Sequence, residues 1–140
     1  MKFDVVLSLQ GRQSYIDQEP DEIELVTEGV LEKCGDGWRL SYDESDLTGL
    51  DGVRTTFFVE PGKITLKRTG KLNSEMVFQE GVAHDSLYQL EFGALMITVC
   101  ATRVLFELSE NGGTIDLTYS IDIEQSAAGQ IDYHLEIKQK

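Results

Sequence analysis

Proline, cysteine and histidine are scarce in this chain of 140 residues, at two each, and tryptophan occurs once. Two cysteines close one bridge at most, so the chain is not a disulfide scaffold, and Cys34 and Cys100 are expected as free thiols used in packing. Cations are in deficit. Twelve Lys and Arg against 25 Asp and Glu leave a net charge of −13, which repels phosphate backbones and anionic bilayers. Nucleic acid and membrane surfaces are therefore not expected partners. Long hydrophobic runs are also missing: the longest stretch free of charge, Phe92 to Thr102, is roughly half of the ~20 residues a spanning helix needs. Asp4 interrupts the first apolar residues before a signal peptide could form, so a soluble, cytoplasmic protein is expected.

What the chain has is alternation. At 41% hydrophobic residues it can fill one core, and its length suits one domain over residues 1–140. In Thr114 to Glu124, Ile115, Leu117, Tyr119, Ile121 and Ile123 share one face while Asp116, Thr118, Ser120, Asp122 and Glu124 share the other. Ile131, Tyr133, Leu135 and Ile137 repeat the pattern, with Ala127 to Gly129 suited to the hairpin turn between. Further strands are expected at 2–16, 22–34, 37–44, 53–60, 63–69, 74–80, 86–92 and 94–108, between turns such as Pro61-Gly62 and Asn111-Gly112-Gly113. The first long strand is expected to change parity near Gly11, and the second where Val104, Phe106 and Leu108 take over the apolar face. The segment near Asp43 to Leu50 leaves room for a short helix that closes one mouth, with Asp46 as its cap. The whole predicts an all-β fold, an antiparallel up-and-down β-barrel of about ten strands, because closure removes the edges such a meander would expose.

A series of markers then stands in order: Trp38, Leu40, Tyr42-Asp43-Glu44, Thr48-Gly49-Leu50, Val53, Thr55-Thr56, Arg68-Thr69-Gly70, Met76-Val77-Phe78, Tyr88, Phe92-Gly93, Gly113 and Tyr119. Over nearly the full length this series resembles the YwiB-like family of small bacterial proteins, a domain of unknown function. The resemblance implies a calycin-type barrel, related in shape to lipocalins and fatty-acid-binding proteins. It implies no activity. Glu91-Phe92 departs from the Thr-Pro-Tyr-like segment expected before Gly93.

Within a barrel, polar residues sharing parity with the apolar face become the candidates for a site. Tyr42 and Glu44 follow Trp38 and Leu40 at spacings of two; Arg68 follows Ile64 and Leu66; Tyr88 precedes Leu90 and Phe92; Tyr119 sits among isoleucines. Arg68 with tyrosine hydroxyls has the chemistry to hold a ligand carboxylate through parallel, charge-assisted hydrogen bonds. Two other readings stay open: Glu44 neutralises Arg68 in a buried network that sets barrel register, or either side chain reaches solvent at the rim. Trp38, Phe57 or Phe58, Phe78, Phe92 and Tyr119 are expected either to wall a cavity or to fill it.

Catalytic and metal chemistry finds no support. His84 is expected in a surface turn at Gly81 to Asp85 and His134 on an outward face, so neither has a nucleophile to serve. Cys34, His84, Cys100 and His134 are scattered without ligand spacing, the Asp43 to Asp51 acids lack an EF-hand pattern, and no Gly-Lys-Ser/Thr phosphate loop occurs. No cofactor, metal or enzymatic activity is expected. Two functions remain: a binding module for a small apolar or carboxylate-bearing ligand, or a filled barrel whose acidic exterior meets a basic protein partner or a second copy.

Overall fold

The computed structural model describes residues 2–15, 19–45, 51–90, 93–124 and 126–140, the side chains at 15, 88, 90, 126 and 127 excepted. They form ten strands: β1 (Lys2–Tyr15), β2 (Asp21–Cys34), β3 (Gly37–Asp43), β4 (Val53–Glu60), β5 (Lys63–Gly70), β6 (Ser74–Phe78), β7 (Ala83–Leu90), β8 (Gly93–Ser109), β9 (Gly112–Ile123) and β10 (Ser126–Gln139). Every ladder is antiparallel, in the order β6-β5-β4-β3-β2-β1-β10-β9-β8-β7, so each strand pairs with its chain neighbours except that β6 and β7 stand at the two ends, and β1 meets β10. Short hairpin turns dictate that order, and the β1–β10 ladder joins the two halves of the meander.

The sheet curls until its two end strands meet, and the barrel is nearly closed. Asn73 and Gln89 exchange both backbone hydrogen bonds, at 3.1 and 2.9 Å, and Ser86 Oγ donates to the carbonyl of Glu75. Farther along, Glu80 bridges Ala101 of β8 instead of β7. Between these points no ladder pair joins β6 to β7 among the described residues. This shape is consistent with the calycin-type barrel that the resemblance implies.

Inside, the alternating aliphatics form one core. Val5, Leu7, Leu31, Val59, Ile64, Phe78, Ile115 and Leu135 are completely or almost completely buried and seal the end where β2 turns into β3 and β8 into β9. Trp38 joins this seal, with Lys33 Nζ 4.7 Å from its ring centroid.

Several sequence expectations need correction. β1 runs through Gly11 with unbroken register on both sides, since Gly11 and Gln13 continue the inward parity of Leu7 and Leu9. The β8 irregularity is real and falls between Ala101 and Arg103, where the extra residue returns Val104, Phe106 and Leu108 to the inner face. Ala127 to Gly129 are no turn: they lie inside β10, which shifts register there, and the chain reverses at Glu124, whose φ of 50° suits a turn. β7 begins at Ala83, so His84 lies in a strand opposite Val99, half-buried, with Nε2 3.2 Å from Gln79 Oε1. Cys34 and Cys100 are free thiols, yet Cys34 is exposed and lies outside the core. The short helix allowed up to Leu50 falls largely on residues 46–50, outside the described ones. Among the described residues no helix is long and apolar enough to cross a membrane.

Candidate functional site

Toward the other end of the barrel the aliphatic filling gives way to a cavity of about 320 Å³. Its apolar walls come from Leu9 of β1, Ile23 of β2, Met76 of β6, Leu95 and Ile97 of β8, Ile121 and Ile123 of β9, and Ile131 of β10. Its polar lining is Gln13, Tyr42, Glu44, Arg68, Tyr119 and Tyr133. The volume is at the low end of ligand pockets, which run from roughly 300 Å³ upward with mostly apolar walls and a few placed polar groups.

Strand register explains why these polar groups meet. Tyr42 of β3 stands opposite Thr55 of β4, Thr55 opposite Arg68 of β5, and Arg68 opposite Ser74 of β6. Four inward-facing polar residues thus form one row across four adjacent strands. Thr55 is fully buried, and its Oγ1 donates a 2.5 Å hydrogen bond to Glu44 Oε2. Tyr42 donates its hydroxyl to the same carboxylate, and the Glu44 amide donates to the Val53 carbonyl at 2.8 Å. Burial, chiefly, and the negative charge of Glu44 push the Tyr42 phenol well above its ordinary value, while the positive charge of Arg68 works the other way. Tyr42 therefore stays a neutral donor at physiological pH.

Two of the lining tyrosines, Tyr119 and Tyr133, pack on one another, and the first also packs on the core. Phe78 and Tyr119 have ring centroids 4.6 Å apart and tilted by 45°, and Tyr119 stacks on Tyr133 at 6.4 Å. Tyr133 owes its place to Gly11 opposite: a Cβ there would stand 3.3 Å from the Tyr133 ring. A side chain at position 11 would therefore require that ring to give way by a few tenths of an ångström.

Of the six candidate residues, Arg68, Tyr42, Glu44 and Tyr119 come together here. Trp38 does not: it belongs to the sealed end, because its parity matches theirs but its place along β3 does not. Tyr88 lies in β7 opposite Leu95, its side chain outside the described residues. The expected aromatic wall is corrected likewise. Phe57 and Phe78 are core, Phe58 lines a groove on the outer face, and Phe92 is outside the described residues. Gln13, Tyr133 and Ser74 were missed, although continued parity from Leu9, Ile131 and Met76 marks all three.

A second groove, on the outer face, holds His134, whose Nδ1 is 2.5 Å from Asp116 Oδ1 and whose Nε2 is 3.5 Å from Glu136 Oε1. The Asp116 hydrogen bond holds this imidazole above the ordinary histidine range. No cluster of three or more His, Cys, Asp or Glu able to hold a metal ion occurs among the described residues.

Fold and cavity together define a small, nearly closed, ten-stranded antiparallel barrel with an amphipathic pocket at one end. Residues 7–137 match the family described as domain of unknown function DUF1934, and the chain belongs to that family. Its structure is similar to the crystal structure of the ywiB protein from Bacillus subtilis, with a TM-score of 0.88 at 21% identity, covering 99% of this chain and 93% of that one. At that identity the likeness is one of fold. No curated protein matches the sequence.

Proposed function

We propose that the barrel binds a small amphipathic molecule, its apolar part against the isoleucine walls and a carboxylate-bearing head beside Arg68 and Tyr42. The single observation that carries this reading is the cavity of about 320 Å³ in which an arginine, a glutamate and three tyrosines converge on an otherwise aliphatic wall. A filled barrel has no need of such a space, and buried cations are commonly retained where they meet an anion. Titration with medium-chain fatty acids, followed by backbone NMR, tests it. Shifts are expected at Ile23, Ile97, Ile121 and Ile123, and an unchanged spectrum across the series overturns the reading.

One observation favours a structural role for the same residues. The Glu44 carboxylate accepts from both Thr55 and Tyr42, which ties β3 to β4. If that network also neutralises Arg68, Arg68→Met costs about 3–5 kcal/mol and adding Glu44→Leu recovers much of it. In the binding reading Arg68→Met leaves thermal stability close to the parent while fatty-acid binding is lost.

A further inference from the structure

We infer that the hydroxyl of Tyr133 is the group that meets the polar head of the ligand, donating a hydrogen bond to one carboxylate oxygen. The inference rests on the ligand-binding reading above and names the residue that reads the head group.

Six polar side chains line the cavity: Gln13, Tyr42, Glu44, Arg68, Tyr119 and Tyr133. All but the last are engaged within the protein. Tyr42 hydrogen-bonds the Glu44 carboxylate, and Gln13, Glu44, Arg68 and Tyr119 each have a partner of their own. Tyr133 differs, since its packing is made by the ring, stacked on Tyr119, and its hydroxyl has no hydrogen bond among the described residues. A tyrosine packed against a core ordinarily spends its hydroxyl on a partner, so an unspent one on an otherwise aliphatic cavity wall marks a place for a ligand oxygen.

The ring is also held in place. Tyr119 stacks on it with centroids 6.4 Å apart, and the β1–β10 ladder sets it opposite Gly11, where a Cβ would crowd it. Burial is the chief obstacle to ionising Tyr42, and the Tyr133 phenol adds to that obstacle, so the two phenols stand near one another. The unspent donor therefore lies at the same end of the cavity as the network of Tyr42 and Glu44. A donor fixed before binding loses little freedom on meeting its acceptor, and its bond to a carboxylate is stronger than one to a neutral oxygen.

Calorimetric titration with octanoate of the parent protein, Tyr133→Phe and Tyr119→Phe tests this. Tyr133→Phe is expected to keep the parent's melting temperature, because the lost hydroxyl bonds nothing in the protein, and to bind octanoate roughly tenfold or more weakly. Tyr119→Phe keeps the same pair of stacked rings and is expected to retain octanoate binding. In parent protein labelled at the tyrosine ring carbon that carries the hydroxyl, the Tyr133 NMR signal, identified by its absence from Tyr133→Phe, is expected to shift most when octanoate is added. Octanoate bound equally by the parent and Tyr133→Phe overturns the assignment while the cavity reading stands. An equal loss in the two variants overturns it as well, since the rings and not this hydroxyl would then hold the ligand. A Tyr133→Phe protein that melts well below the parent overturns the premise that the hydroxyl is unspent. Failure of octanoate to bind the parent overturns the cavity reading and the assignment with it.

Discussion

At the scale of single residues, the hydroxyl–carboxylate contact between Thr55 and Glu44 is the most exposed to test, because both partners are buried and the replacement is nearly isosteric. Thr55→Val keeps the shape and removes the donor, and a charged acceptor that loses such a bond costs about 1.5–3 kcal/mol, readable as a lower urea midpoint with an unchanged slope. His134 makes a different prediction. Since Asp116 raises its pKa, the fold favours the imidazolium: that contribution is complete below the ordinary value of about 6.5 and is lost as pH rises through the folded value. An NMR titration is expected to place His134 above that reference, and Asp116→Asn to lower it, with only a small change in melting temperature because the pair is about a third exposed. Parity made Arg68, Tyr42, Glu44 and Tyr119 legible as inward residues in the sequence. It could not separate Trp38 from them, because parity tells which face a side chain takes and not how far along the barrel it sits.

At the scale of strands, register decides everything, since a slip of one residue sends every side chain to the opposite face. β10 shows this well. Leu135 is fully buried against Ile115, while Asp132 stands exposed on the same strand. Leu135→Asp is expected to cost about 4 kcal/mol or more by burying an unpaired carboxylate, whereas Asp132→Ala is expected to stay within about 0.5 kcal/mol. Comparable losses in melting temperature from the two would mean the register is wrong. The β8 irregularity was visible because its apolar residues change parity at Val104. The shift in β10 was not, since Ala127, Ala128 and Gly129 are small enough to serve as turn or strand and carry no parity signal. The true reversal at Glu124 is stabilised by reciprocal hydrogen bonds with Met96 at 2.9 Å, one from the Met96 amide to the Glu124 side chain and one from the Glu124 amide to the Met96 carbonyl. Such a contact between residues far apart in sequence leaves no local mark.

At the scale of the whole molecule, the weakest line is the seam where β6 meets β7. Two backbone hydrogen bonds at Asn73 and Gln89 and the Ser86 contact stand in for a full ladder. Amides of β6 and β7 that face this seam are expected to exchange with solvent much faster than those in the β9–β10 ladder, as mass-spectrometric hydrogen exchange would show. Equal protection in both places would mean that the seam is bonded along its length. The strand-dominated architecture also predicts a far-UV circular dichroism spectrum without a helical signature.

The fold class was determined by the sequence itself, because alternation is a local property: each strand announces its two faces within a few residues, and short turns leave antiparallel neighbours as the only pairing within reach. The expected absence of a nucleic-acid partner likewise rested on net charge, a property of composition. Only the tertiary structure decided where the lumen is solid and where it is open. Whether an inward residue seals or lines depends on its height in the barrel and on what faces it across the lumen, as Trp38 and Tyr42, on one strand and one face, demonstrate. It alone assembled the row from Tyr42 to Ser74, for that row crosses four strands, and its members become neighbours only when three separate registers are set together.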